Sequence, residues 1–252
     1  MKKILALLLA IISVTSFASC KKEPTIDPTN EQTPPAYEIK KYTEDVTWNK
    51  KDQGNVTLLY PELEGMNEAN ELIFDIIKRN CDQALPNLSS YESGSMPEVT
   101  YEISSFNITY LSDTFLSAVV EGMLTVSLAA HPNPFVYAVN VDLEDLKEIT
   151  PAEILADFEK IKKLFEDGRF TLENGIDELN SEMSFEDMIM QYRSEYEIYP
   201  QVYLSDEKFY LNVELVYALG SNAQFSIELD SVENFLNKDN KEISKITDQR
   251  KK

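Results

Sequence analysis

The chain has 252 residues, with 23 Lys+Arg against 44 Asp+Glu, a formal charge of -21 at pH 7, one His, two Cys and one Trp. That balance excludes a nucleic-acid binder, because phosphate contacts need a basic face. One His and two Cys exclude a poly-His metal site, a zinc ribbon and a disulfide-rich scaffold, and no cofactor is implied.

Met1-Lys2-Lys3 is a short basic start, and Ile4–Val14 is apolar apart from Ser13. That run is too short for a membrane-spanning helix, which takes roughly 20 residues. Small residues follow, Ala18 and Ser19 standing directly before Cys20. A basic start, an apolar stretch and small residues before a cysteine resemble a bacterial lipoprotein signal. The resemblance implies that residues 1–19 are removed and that Cys20 carries the acyl chains. Several chains on one residue hold a protein to a membrane, where a single chain would be marginal. Residues 20–35 then read as the lipidated cysteine and a tether with Pro24, Pro28, Pro34 and Pro35. Such a sequence cannot bury a core, and extended it reaches about 45 Å.

The folded part begins near residue 36. Tyr37–Val46 predicts a strand, and Val56–Tyr60 a short apolar strand stopped by Pro61. Helical spacing predicts a helix over 67–84, with Ile73, Ile77, Cys81 and Ala84 on one stripe. Residues 86–97, rich in Ser, Gly and Pro, read as a loop. Val99, Tyr101 and Ile103 share one parity and Phe106, Ile108 and Tyr110 the other, so a bulge is expected at Ser104-Ser105. Ser112-Asp113-Thr114 predicts a hairpin turn into a strand over 115–127, and Phe135 to Leu143 alternate as a third strand. Thr150-Pro151-Ala152-Glu153 is a helix start with a capping box and Pro at the first helical position. Helical spacing continues, with breaks, to about Tyr196. Strands over 201–204, 208–217 and 222–229, a short helix over 231–236 and a polar tail over 237–252 complete the reading. The expected class is α+β, with antiparallel sheets, a long N-terminal helix and a mid-chain helical segment, in one domain or two small subdomains. Residues 36–97 form its N-terminal part and 98–236 its main domain.

Few residues offer chemistry. Cys81 lies on the apolar stripe and reads as a buried thiol; a nucleophilic role would need a base, and only His131 is available. His131, in Ala130-His131-Pro132-Asn133, reads as a structural turn residue or as a contact in a recognition loop. Glu178, Glu182 and Glu186 recur one helical turn apart, as a solvated face or as a surface for a basic partner. No phosphate loop, nucleophile elbow or zinc-protease motif is present. Glycoside hydrolysis needs only two carboxylates, so their abundance says nothing by itself.

Several short motifs resemble one bacterial extracytoplasmic domain. They are Phe115-Leu116-Ser117 after a hairpin turn, Ala130-His131-Pro132-Asn133, Val139-Asn140-Val141-Asp142-Leu143 and Lys147-Glu148-Ile149-Thr150. Tyr60-Pro61 before the helix, Phe209-Tyr210-Leu211 and Tyr217-Ala218-Leu219-Gly220 extend the likeness over about residues 60–230. The domain is that of RsiV-type lysozyme-sensing anti-sigma factors, also an accessory region of PdaC-type peptidoglycan deacetylases. Leu128-Ala129 stand where that family has Gly-Gly, and Val216 where it has Pro. The resemblance implies a binding module, not the sigma-factor switch or the deacetylase reaction. It implies lysozyme, a basic protein, as ligand, and His131, Asn133, Tyr137 and Tyr217 are the expected loop or edge contacts of such a module. The expectation is a lipid-anchored, non-catalytic lipoprotein of the bacterial cell envelope, periplasmic or at the surface, that binds a basic protein such as lysozyme or a wall glycan. The alternatives are a structural or assembly lipoprotein and a peptidoglycan-modifying hydrolase with paired carboxylates.

Overall fold

A computed structural model describes residues 34–48, 51–85, 97–127, 129–175, 201–215 and 222–249. Among these residues ten strands form two sheets. The first has six strands in spatial order β1 (Tyr37–Trp48), β2 (Lys51–Leu63), β3 (Val99–Leu111), β4 (Phe115–Val126), β5 (Asn133–Asp142) and β6 (Lys147–Glu148). The second has four, in the order β7 (Thr171–Asn174), β10 (Asn222–Glu228), β9 (Lys208–Glu214) and β8 (Gln201–Leu204). The helices are α1 (Asn67–Ala84), α2 (Pro151–Ile154), α3 (Phe158–Glu166), α4 (Leu229–Val232) and α5 (Lys241–Gln249). Among the described residues no helix is long and apolar enough to cross a membrane.

The expected α+β class is therefore corrected. The molecule is mostly β, and its first sheet is mixed, because β2 and β3 run parallel while its other neighbours are antiparallel. Gly54 permits that parallel contact: at φ 129° it lies so close to Val99 that a Cβ would stand 1.7 Å from the Val99 carbonyl oxygen. The helix over 67–84 forms at the expected bounds but packs as one cover on the sheet, and no long N-terminal helix organises the fold. The mid-chain helical segment also breaks up. Leu155 leaves the helix to bridge Leu236, Gly168 ends α3 at φ 66°, and 171–174 pair with β10 as a strand. The expected helix beyond residue 175, with Glu178, Glu182 and Glu186, lies outside the described residues, as do most of the 86–97 loop and Cys20.

Strand β2 continues through Pro61 instead of stopping there. The Glu64 N–H donates to the Ala36 carbonyl at 2.8 Å, so even-numbered β1 residues exchange hydrogen bonds with β2 and Pro61, opposite Ile39, does not. The missing N–H thus costs no ladder bond. At Leu63 the same outward-facing groups are taken by Asn70 of α1, which accepts from the Leu63 N–H at 2.8 Å and donates to its carbonyl at 2.9 Å. That bidentate contact fixes α1 on the sheet. Ala69, Ile73, Ile76, Ile77 and Cys81 are buried against it, while Ala84, expected on the stripe, is exposed. Each isoleucine contributes about 1.5–3 kcal/mol of apolar burial.

Two irregularities in β3 distribute its side chains between two cores. The expected bulge falls between Ile103 and Ser105 and keeps Phe106 on the α1 side with Tyr101 and Ile103. A second, between Ile108 and Tyr110, turns Tyr110 to the opposite face, where it joins Phe115 in the other core. A one-residue slip exchanges the faces of a strand. That other core lies on one face of the second sheet, where Val202, Leu204, Phe209, Leu211, Val213, Ala223, Phe225 and Ile227 meet helices α2 to α5. The segment expected as a polar tail supplies α5, whose Ile243 and Ile246 are buried. Its buried Glu242 accepts from Thr114 and, at 2.8 Å, from Lys245.

The sheets meet edge on face. Ser117 Oγ donates to Asn140 Oδ1 at 2.7 Å and accepts from the Leu204 N–H at 2.9 Å, and Asn140 Nδ2 donates to the Val202 carbonyl at 2.8 Å. Thr109 Oγ1 donates to the Leu204 carbonyl at 2.6 Å. Together these three side chains of the first sheet bond the Val202 carbonyl and the Leu204 N–H and carbonyl on the outer edge of β8. In return, Gln201 accepts from the Ala138 N–H at 3.2 Å and Asn212 donates to the Val136 carbonyl at 3.3 Å, capping the open edge of β5. Replacing Asn140 by Ala leaves the Val202 carbonyl without its donor in a buried site. We expect a loss of about 2–4 kcal/mol in urea unfolding, against under about 0.5 kcal/mol for Asn107→Ala on the exposed side of β3.

Candidate functional site

Strand alternation sends every second side chain of the second sheet away from its apolar core, onto a polar face. Across that face the register aligns Gln201, Asn212, Gln224 and Asn174 in one row, and Tyr203, Tyr210 and Ser226 in the next. Asn212, Tyr203 and Ser226 are buried, Gln201, Tyr210 and Gln224 half-buried, and Asn174 exposed. The Ser205–Glu207 turn sets the aromatic pair, because Ser205 Oγ accepts from the Lys208 N–H at 3.0 Å and closes the hairpin. Tyr203 and Tyr210 then stack face to face, with ring centroids 4.5 Å apart and planes 4° from parallel.

Two carboxylates flank this pair. Glu173, on β7, accepts from Lys208 Nζ at 2.7 Å and from Ser226 Oγ. Those bonds, the lysine first, hold its carboxyl below the usual 4.5 and keep it ionised. Glu121 reaches in from β4 of the first sheet. The one hydrogen bond of its carboxylate among the described residues is a long one, 3.4 Å, from the neutral Gln224 amide, and no described cation pairs with it. Burial, the neighbouring Tyr210 and both carboxylates push the Tyr203 phenol up. Among the described residues the Asn212 Oδ1 acceptor is buried without a hydrogen bond. The patch is thus negative, aromatic and rich in acceptors. Such a surface receives a Lys or Arg side chain, with its charge on the carboxylates and its stem over a ring.

The residues expected as contacts do not gather into one surface. His131 is exposed in the β4–β5 turn, its Nδ1 3.2 Å from the Pro132 carbonyl. Asn133 is exposed at the start of β5. Tyr137 is buried on the α1 side of the first sheet, in an aromatic column with Phe135, which stacks on Tyr101 at 4.6 Å. Gly122 makes room for that column, since a Cβ there would stand 2.3 Å from the Phe135 ring. Tyr217 lies outside the described residues. Of the patch residues, only the tyrosines carried a usable signal: Tyr203 and Tyr210 stand symmetrically about a turn, which places them opposite one another in a hairpin. Nothing local in the sequence joins Glu121 to Glu173.

Cys81 packs beneath α1 near Tyr101 and Tyr137. Burial pushes its thiol up to about 12, and both phenols are raised by the same desolvation. That is a packing environment, unlike the electropositive, part-exposed sites of reactive thiols.

No family profile matches the chain, and no curated protein matches it. Solved structures do. A DUF3298 family protein from Pseudomonas aeruginosa PAO1 superposes with a TM-score of 0.52 at 13% identity, over 81% of this chain and 95% of that one. A member of the same family from Bacteroides fragilis matches with a TM-score of 0.49 at 12% identity, over 86% and 98%. The chain therefore has the fold of the Pseudomonas protein.

Because the Cys81 thiol stays protonated at pH 8 and buried, a disulfide reagent leaves it unmodified in the folded chain and modifies it once urea unfolds the protein. Rapid labelling in the native state would contradict its placement.

Proposed function

We propose that the protein is an extracytoplasmic, lipid-anchored binding domain that captures a basic protein, with no chemistry of its own. The observation that carries this reading is Glu121, a half-buried carboxylate without a cation partner among the described residues, beside the stacked pair Tyr203 and Tyr210. The formal charge of -21 supports it over longer range, because an acidic surface steers cationic partners and raises association rates. The fold shared with a DUF3298 family protein agrees with the motif resemblance to RsiV-type domains, and lysozyme is the ligand that resemblance supplies. Glu173, held ionised by Lys208 and Ser226, is suited to receive a cation and poorly suited to donate a proton.

Anchoring through Cys20 keeps such a domain at the envelope, with the Pro-containing tether holding it off the lipid. His131 and Asn133, exposed at the β4–β5 turn, remain proposed as additional contacts, as does Tyr217, whereas Tyr137, buried in the α1-side core, offers no surface to a partner. The stacked tyrosines and the Gln224 amide also suit a wall glycan, whose hydroxyls need acceptors and whose rings need flat aromatic partners.

Titration of the purified chain with lysozyme at low salt should give a Kd below about 0.1 mM. Glu121→Gln should weaken it about three- to tenfold, the scale of one charge contact across an interface. Saturation weaker than that limit, or an unchanged Kd in Glu121→Gln, would remove lysozyme or this patch respectively. For the anchor, label from a palmitate analogue should enter the wild type and be lost in Cys20→Ser.

A further inference from the structure

Strand β1 is one outer edge of the first sheet, and its pairing with β2 uses the N–H and C=O groups of its even-numbered residues. Those of Tyr37, Ile39, Lys41, Thr43 and Asp45 point outward, and among the described residues none of them bonds to any other part of the chain outside the β1–β2 ladder. All five side chains are exposed, Tyr37 by 49% and Ile39 by 42%, the largest exposures of big apolar side chains among the described residues. An open edge of this kind is a template for another strand.

The charges along β1 say which strand. Lys40 and Lys41 stand in its first half, Glu44 and Asp45 in its second. Antiparallel pairing with an identical strand sets opposite charges against each other. We propose that two copies of the chain associate through β1, antiparallel about a two-fold axis at Tyr42, so that their first sheets become one continuous sheet. In this register Lys40 faces Glu44 of the second copy and Glu44 faces its Lys40. The outward groups of Ile39, Lys41, Thr43 and Asp45 exchange hydrogen bonds with Asp45, Thr43, Lys41 and Ile39 across the axis. Centring on Lys40 would oppose lysine to lysine, and centring on Lys41 would oppose Glu38 to Glu44. The irregularity between Asp45 and Thr47 ends the regular stretch where this pairing ends. The two lysines thus act as a register device, where lysines on an edge strand ordinarily repel another strand.

The test uses the full chain. In the proposed register the Tyr42 positions form a non-hydrogen-bonded pair, with Cα atoms about 4.5 Å apart, within disulfide reach. Tyr42→Cys should oxidise to a covalent dimer, whereas Glu44→Cys, displaced along the strand from its own copy, should not. Thr43→Pro removes an outward N–H without touching the β1–β2 ladder, and should raise the dimer dissociation constant in sedimentation equilibrium at least about tenfold. A wild-type chain that sediments as a monomer up to about 0.1 mM would overturn the proposal. So would equal cross-linking of both cysteine variants. Neither result bears on lysozyme binding at Glu121.

Discussion

The fold depends on one small buried hydrogen-bond node. Ser117 and Asn140, neighbours on β4 and β5, bond each other and reach the backbone of β8 at Val202 and Leu204. A sheet edge carries unpaired N–H and C=O groups, and burying them unpaired costs about 1–3 kcal/mol each. Here three groups on the edge of one sheet are bonded by side chains on the face of the other, and Gln201 and Asn212 do the same at β5. This reciprocal capping lets two sheets pack edge on face without forming a sandwich or merging into one.

Around the node the two cores divide the work. The first, between α1 and the mixed sheet, is aliphatic with an aromatic column at one end, where Phe135 lies over Gly122 and stacks on Tyr101. The second fills the space between the antiparallel sheet and helices α2 to α5. Tyr110 and Phe115, at the tip of the β3–β4 hairpin, cross from the first sheet into the second core, as the second irregularity of β3 requires. The salt bridges near the surface are mostly exposed lysine–carboxylate pairs, each worth roughly 0–1 kcal/mol. Among the described residues most lysines pair with carboxylates, whereas Glu121, between the sheets, has an amide as its side-chain partner.

Much of this was legible locally. Alternation located β3 and β5, the turn at Ser112-Asp113-Thr114 located β4, the parity change at Ser104-Ser105 located a bulge, and apolar spacing located α1 at its true bounds. What failed did so for reasons outside the local pattern. Pro61 stops a strand only where its N–H is needed, and the β1–β2 parity that frees it is a pairing property. The run after Thr150 has helical spacing with breaks, yet 171–174 become a strand because β10 offers an edge and Gly168 and Gly175 adopt φ of 66° and 143° around it. The parallel β2–β3 contact, which makes the first sheet mixed, rests on a single close approach at Gly54. The motif residues Ser117 and Asn140 were recognisable as a pattern, but their task was not, because their partners on β8 lie far along the chain. The candidate site suffered in the same way: Glu121, Tyr203 and Glu173 meet through sheet packing, while His131 and Tyr137, close in sequence, end on a turn and in a core.

The capping node also sets the proposed binding patch, since it holds β8 and its Tyr203 against the strand that carries Glu121. Its most direct test is amide hydrogen exchange at Leu204 and Ala138, whose N–H groups point away from their own sheets toward Ser117 and Gln201. The account predicts protection comparable to the central amides of β4 and β9. Exchange of both within about tenfold of an unstructured amide would mean that these edges are open to water, and would contradict it.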